Sequence, residues 1–360
     1  MHLIRLELRN LRNLVDVVLE PAAGLNLLVG RNGAGKTSVL EGLHLLAYGR
    51  SFRGRVRDGL IRTGSSAVEV FAEWHTATGE GRHRAGLRHG GSSWEARIDG
   101  GTVGHLGELC AAFMVVTFEP GSHALVSGGG EPRRRFVDWG LFHVEQGFLP
   151  VWRRYSRALK QRNALLKCGA GVGQISAWDH ELAVSGEELT RRRALYLERL
   201  QERLEPVAAA LAPSLGQAML EFEPGWRQSS LSLADALAVA RERDRTLGHT
   251  SVGPHRADWR LRLSGKGEGE SLSRGQAKLA ALSCLFAQAT DCAVERGDWP
   301  VIALDDLASE LDAEHRGRVL AFLGNVPAQA FITGTDPLPL DEGGRVFHVE
   351  QGAVTARWAD

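Results

Sequence analysis

Eight residues, GRNGAGKT at Gly30–Thr37, have the G-x-x-x-x-G-K-[ST] spacing that lets a backbone wrap a polyphosphate. Gly33 and Gly35 free the chain to curl, so that N–H groups across Arg31, Asn32 and Ala34 converge on phosphate oxygens. Lys36 is expected to reach the β- and γ-phosphates and the Thr37 hydroxyl to hold Mg²⁺, with Ser38 next in the cradle. Such a loop works between a strand and a helix. Leu25–Val29 (LNLLV) is a continuous apolar run, as a buried parallel strand requires, and Gly30 ends it. Beyond the loop, Val39, Leu40, Leu43 and Leu46 recur at helical spacing until Gly49 stops them. The positive end of that helix then faces the nucleotide. The plainer alternative, a glycine-rich turn with a chance lysine, does not explain the flanking strand and helix. ATP is the expected ligand.

A second apolar run, Val301–Leu304 (VIAL), ends in Asp305 and Asp306. A carboxylate at the end of such a strand is where a phosphate-loop protein holds Mg²⁺, so Asp305 is assigned to the metal. The alternative is that the pair only caps a helix.

A third site is LSRGQ at Leu272–Gln276, ahead of a helical run through Leu279, Leu282, Leu285 and Phe286. Ser273, the Gly275 amide and Gln276 then lie at a helix N-terminus, a ready anion site. One triphosphate does not need two such termini from the same chain. The economical arrangement is mutual, with Ser273 and Gly275 of each subunit closing on the γ-phosphate held by the other. A simple serine cap is the alternative. LSRGQ is similar to the signature loop of ABC-type ATPases, and Ser309–Asp312 (SELD) resembles the loop by which such subunits touch.

The chain as a whole resembles the ABC-ATPase heads of SMC-like proteins and, more closely, the RecF family of bacterial recombination mediators. The resemblance rests on RSFR at Arg50–Arg53, RRRFVD at Arg133–Asp138, TSVGPHRAD at Thr250–Asp258, LDDLASELD at Leu304–Asp312 and ITGTD at Ile332–Asp336. That family usually has two adjacent acids after GPHR; here Ala257 replaces the first and Asp258 keeps the second. ABC-type ATPases usually place a glutamate at Asp306, so a base one methylene shorter implies slow hydrolysis. Their usual switch histidine is replaced by Thr333, which can position a water but not deprotonate it. Where a glutamine loop is expected, the chain reads VTFEP at Val116–Pro120.

The resemblance implies an α/β fold: an ABC/SMC-type ATPase head, with a mixed sheet and an antiparallel β-lobe, plus a short inserted helical arm. It implies catalytic roles for Asp306, Lys36 and Ser273, with Thr333 added to the nucleotide contacts. It further implies a weak DNA-dependent ATPase and an ATP-dependent homodimer. The dimer would bind double-stranded DNA at junctions or gaps and act with RecR and RecO to load RecA. A transporter ATPase subunit is the rival reading, disfavoured by the long separation between the phosphate loop and LSRGQ.

The elements that position these groups read as follows. Ile4, Leu6 and Leu8, then Val15, Val17 and Leu19, alternate as a hairpin leading into the ATPase sheet, with its turn at Asn10–Asn13 and Arg12 read there as a surface residue or, alternatively, as leaning on the adenine. Residues 65–117 hold short strands with glycine-rich turns, an antiparallel lobe. From Arg134 the pattern is helical. Trp139, Phe142, Phe148 and Trp152 begin one amphipathic stretch, Gly169–Gly173 breaks it, and Ser176 with Asp179 offers a capping box to the next helix. Each limb has about 33 residues and so spans about 50 Å at most. The expected division is 1–130 for the first part of the head, 131–230 for the arm and 231–360 for the rest of the head. The 360 residues carry a formal net charge of zero and are 43% hydrophobic, ample for a large core. Basic clusters at Arg50–Arg62, Arg133–Arg135 and Arg153 to Lys167 are candidate phosphate contacts. Four scattered cysteines, a charged amino terminus and the lack of a long uncharged run point to a cytoplasmic protein without a membrane span.

Overall fold

The computed structural model describes residues 1–56, 58–77, 81–265, 271–337 and 343–358. Arg57, one of the basic residues singled out above, lies outside them. The chain divides into two units: Met1–Ser122 with Ala210–Ala212 and Leu272–Asp360, and His123–Ala209 with Pro213–Ser271.

In the first unit, β1 (His2–Arg9) and β2 (Asp16–Leu19) form the expected antiparallel hairpin. The buried residues of β1 are Leu3, Leu6 and Leu8 rather than Ile4, Leu6 and Leu8. A break in the pairing register between Leu3 and Arg5 shifts the alternation there. The hairpin belongs to an antiparallel sheet with β4 (Val68–His75), β5 (Arg82–His89), β6 (Trp94–Ile98) and β7 (Gly101–Thr102), in the order β2-β1-β4-β5-β6-β7. It leads by sequence into a second, mixed sheet. That sheet holds β3 (Leu25–Val29), β8 (Val115–Phe118), β11 (Val301–Leu304), β12 (Ala330–Gly334), β13 (Arg345–Glu350) and β14 (Ala353–Trp358), in the order β14-β13-β3-β12-β11-β8. All adjacent pairs in it are parallel except β13 with β14. The strands β8, β11 and β12 are buried at every residue, as the unbroken apolar run of β11 and the largely apolar sequences of the other two reflect.

Helix α1 (Lys36–Tyr48) packs against β8, β11 and β12 of the mixed sheet and against β4 of the antiparallel one. It has little room. A Cβ on Gly42 would come within 2.4 Å of Leu8, and Gly49 ends the helix at φ 63°. The unit is completed by α2 (Leu106–Ala112), α8 (Arg274–Arg296), α9 (Leu307–Glu310) and α10 (Ala313–Gly324). Helix α8 is long and apolar enough to cross a membrane by length and composition, yet 72% of its most apolar window is buried inside the protein. It is a core helix.

The second unit holds α3 (Ala124–Ser127), α4 (Gly130–Val144), α5 (Phe148–Lys167), most of α6 (Val172–Leu211), α7 (Leu233–Leu247) and a hairpin of β9 (Ala218–Glu223) with β10 (Asp258–Leu263). Several expectations change here. The aromatic stretch is two helices, because Gly147 at φ 86° turns the chain between them. The second limb is longer than expected, since α6 has 40 residues. It begins at Val172, so Ser176 and Asp179 lie inside it and form no capping box. The carboxylate of Asp179 instead accepts from Arg162 at 2.7 Å. The arm also runs past residue 230. The β9–β10 pairing and α7 hold residues 231–265 in this unit, as when Glu187 accepts the α7 amide of Leu233 at 2.8 Å.

Candidate nucleotide-binding site

The loop between β3 and α1 is held open from behind. A Cβ on Gly30 would lie 2.1 Å from the Val349 carbonyl oxygen of β13, so only glycine fits. Gly33 and Gly35 have φ 80° and 121°, which a side chain strains. Asn13, read from sequence as part of a turn, donates its amide to the Gly33 and Ala34 carbonyls at 3.1 and 3.0 Å. The Gly352 amide also reaches Ala34, at 2.9 Å. The Gly33 and Ala34 carbonyls are thus tied outward, while the Gly30 and Ala34 amides already donate to the Gly334 and Arg31 carbonyls at 3.3 and 3.1 Å. Lys36 donates to the Gly30 and Arg31 carbonyls at 2.6 and 3.0 Å. Its ammonium thus sits over the loop that it must share with a phosphate.

Across a cleft of ≈ 480 Å³, β11 delivers the two aspartates. The Thr37 hydroxyl donates to Asp305 Oδ1 at 2.9 Å and the Thr333 hydroxyl to the same oxygen at 2.8 Å. Thr333 also accepts from the Asp306 amide at 2.7 Å. Burial raises the Asp305 pKa above the usual carboxylate range; the two hydroxyl bonds offset this in part, and the neighbouring Asp306 adds to it. A buried carboxylate held by neutral hydroxyls has spare acceptor capacity and an uncompensated charge, which suits a hard divalent cation. Asp306 is left-handed, at φ 50° and ψ 45°, and its side chain caps no amide of α9. The capping alternative is therefore absent at this residue.

Asn32, Gly33, Gly35, Lys36, Thr37, Ser38, Asp305, Asp306 and Thr333 line this one cleft. Gly30, Arg31 and Ala34 contribute backbone beneath it. Ser273, Gly275 and Gln276 are not among its lining residues. Ser273 caps α8 in a full capping box, accepting the Gln276 amide at 3.3 Å while Gln276 Oε1 accepts the Ser273 amide at 3.0 Å. Both Ser273 and Gly275 are exposed. At the glutamine-loop position, Pro120 lines the cleft. In the loop after the aspartates, Asp312 caps α10 by accepting from His315, and Glu310 pairs with Lys278 of α8 at 2.7 Å.

Two arginines on the cleft wall have a shared partner that the sequence reading did not give them. Arg12 is not a plain surface residue: its Nε and Nη2 grip Glu41 at 3.0 and 2.7 Å. Glu41 is fully buried on α1, also accepts from the Ser51 hydroxyl, and lies 3.7 Å from Arg53. This carboxylate thus fixes both guanidinium groups beside the phosphate loop.

The other motifs fall in the arm unit. Asp258 binds Arg133 through two bonds of 2.6 and 2.8 Å, and Arg134 donates to the Ala257 carbonyl. Asp138 likewise holds Arg193 through two 2.8 Å bonds. Arg135 pairs with Glu131. The Arg133–Arg135 cluster, a candidate phosphate contact by sequence, is therefore committed to ion pairs and backbone within the protein.

Comparison with known proteins agrees with this construction. Residues 2–354 match the family described as RecF/RecN/SMC N terminal domain. The DNA replication and repair protein RecF of Xanthomonas euvesicatoria pv. vesicatoria is 63% identical over 366 residues, covering 100% of both chains. That of Stenotrophomonas maltophilia is 61% identical over 362 residues, covering 99% of this chain and 100% of its own. Among solved structures, the recombination mediator protein RecF with ATP superposes with a TM-score of 0.87 at 26% identity, covering 99% of this chain and 97% of that one. The chain belongs to the RecF family, with the SMC-type head fold that its two sheets and phosphate loop describe.

Proposed function

We propose that this chain is a DNA replication and repair protein, a cytoplasmic ATP-driven DNA clamp. The observation that carries the reading is the Thr37–Asp305–Thr333 chain of hydrogen bonds across the cleft beneath the phosphate loop. ATP binds with its β- and γ-phosphates on the loop amides and on Lys36. Thr37 and Asp305 would hold Mg²⁺, which would supply charge neutralisation to the phosphates. Thr333, bonded to both aspartates, keeps Asp306 aimed at the water opposite the γ-phosphate. Asp306 is short and Thr333 cannot take a proton, so hydrolysis is slow and acts as a timer. Ser273 and Gly275 serve the γ-phosphate of a second copy, which makes ATP the link in a homodimer. The dimer grips double-stranded DNA at gaps or single-strand junctions until hydrolysis releases it. It acts with RecO and RecR in loading RecA. A transporter subunit finds no support, because the relatives of this chain are named for DNA replication and repair.

The test is dimerisation by sedimentation with a non-hydrolysable ATP analogue, for wild type, Lys36→Arg and Ser273→Ala. Wild type dimerises. Lys36→Arg loses nucleotide binding and dimerisation together. Ser273→Ala binds ATP and stays monomeric, with about 1 kcal/mol lost from its helix cap. Normal dimerisation and turnover of Ser273→Ala would refute the role in trans.

A further inference from the structure

Glu41 lies one turn after Thr37 on the same side of α1, and it is fully buried. A buried carboxylate is costly unless its charge and lone pairs are met. Arg12 takes both oxygens, Nε donating to Oε2 at 3.0 Å and Nη2 to Oε1 at 2.7 Å. The Ser51 hydroxyl donates to Oε1, and the Arg53 guanidinium lies 3.7 Å from Oε2. Ser51 in turn accepts the Arg53 amide at 2.9 Å. Arg53 is therefore tied to Glu41 twice, by its backbone through Ser51 and by its own side chain. The two arginines are held differently. Arg12 also donates Nη1 to the Asp58 carbonyl at 2.7 Å and its amide to the Leu60 carbonyl at 2.9 Å, a strut from the hairpin turn to the residues after α1. The Arg53 side chain is 45% exposed, and 3.7 Å is an ion-pair contact too long for a hydrogen bond. Arg53 lines the cleft with Lys36, Asp305 and Asp306. Burial raises the Asp305 pKa and the charge of Arg53 works against that rise, so the guanidinium is felt at the aspartate end of the cleft.

We propose that Glu41, acting with Ser51, is a positioning residue that holds Arg53 toward the terminal phosphate of the nucleotide and so sets a preference for a triphosphate over a diphosphate. Ordering a long arginine side chain costs entropy, and one tied at backbone and head has lost much of that freedom before the phosphate arrives. The long contact also leaves guanidinium donors for a phosphate without parting Arg53 from Glu41. This role rests on the ATP-binding reading above and assigns residues to it. Charge alone has the opposite sign: a carboxylate behind the cleft wall repels phosphates, so its loss would raise affinity, and more for ATP than for ADP. Positioning requires that its loss lower the preference.

The experiment titrates the full chain, with Mg²⁺, against a non-hydrolysable ATP analogue and against ADP, and takes the ratio of the two affinities. Wild type prefers the analogue. In Arg53→Ala and in Glu41→Gln the ratio falls about tenfold, the loss of a hydrogen bond to a charged group. In Ser51→Ala, which alters no charge, it falls about threefold. Adding Ser51→Ala to Arg53→Ala lowers the ratio no further, because Ser51 acts through Arg53. A general structural lesion would weaken both ligands alike and leave the ratio where it was. Should Glu41→Gln not fold, because Arg12 loses its counter-charge, Ser51→Ala and the double variant decide alone. A ratio for Glu41→Gln at or above that of wild type overturns the proposal, as does an unchanged ratio for Ser51→Ala or a double variant whose losses add. Wild-type protein with no preference for the analogue overturns it too, whereas wild-type protein that binds neither nucleotide overturns the ATP-binding reading itself.

Discussion

Burial works against the charge of Asp305. Its pKa is raised chiefly by burial, so its ionised form is disfavoured in the fold. A group of this sign stabilises most fully when protonated, below its unfolded pKa, and the contribution is lost as pH rises through the folded pKa. At neutral pH, Asp305→Asn should therefore melt at or above the wild-type temperature without ligand. It should also lose the Mg²⁺-dependent stabilisation by ATP, about 2.7 kcal/mol for wild type at a hundredfold excess over Kd. A variant that kept that full Mg²⁺-dependent shift in a melting assay would remove Asp305 from the metal site. His255 has the opposite sign. It is wedged between the Tyr155 hydroxyl at 2.7 Å and the Thr250 carbonyl at 2.9 Å, and burial lowers its pKa to about 4. Those partners assign the proton to Nε2, leaving Nδ1 to accept from Tyr155. A lowered pKa contributes stability that is present above the unfolded value of 6.5 and is lost as pH falls toward 4. Between pH 7 and 5, wild type should lose about 2 kcal/mol more than His255→Asn in urea unfolding. Equal losses would show that the ring is not held neutral.

At the scale of elements, what could be read in advance was what is local in sequence. The glycine spacing of the phosphate loop, the apolar runs of β3 and β11 and the cap at Ser273 each need only a few consecutive residues. Asn13 and the Arg12–Glu41 pair were illegible because their partners lie 20 to 29 positions away and meet only when the hairpin folds over α1. The break at Gly147 was missed because aromatic periodicity continues through it. The capping box at Ser176 was misread because the helix already begins at Val172, and Asp179 is drawn to Arg162. That arginine joins three helices of the arm: it sits on α5 and bonds Asp179 of α6 and Asp244 of α7, both at 2.7 Å. Its removal leaves the fully buried Asp244 without a cation, bonded only by Ser251, and leaves Asp179 with Arg241 alone at 3.1 Å. Arg162→Ala should destabilise the arm by about 3–5 kcal/mol. Hydrogen exchange checks this: the loss of protection should be confined to α5, α6 and α7, and an unchanged arm would contradict the account.

For the whole molecule, the proposed ATP-driven pairing would require two separate surfaces to reach a second copy at once: the start of α8, with Ser273, and the loop that follows the aspartates. The fold does not leave them to move apart. Lys278, one turn into α8, is riveted to Glu310 at the end of α9, and each side chain is about one-fifth exposed or less. In the proposed dimer this ion pair would couple the two edges, so that contact by a neighbour on Leu307–Glu310 would also bear on the helix that carries Ser273.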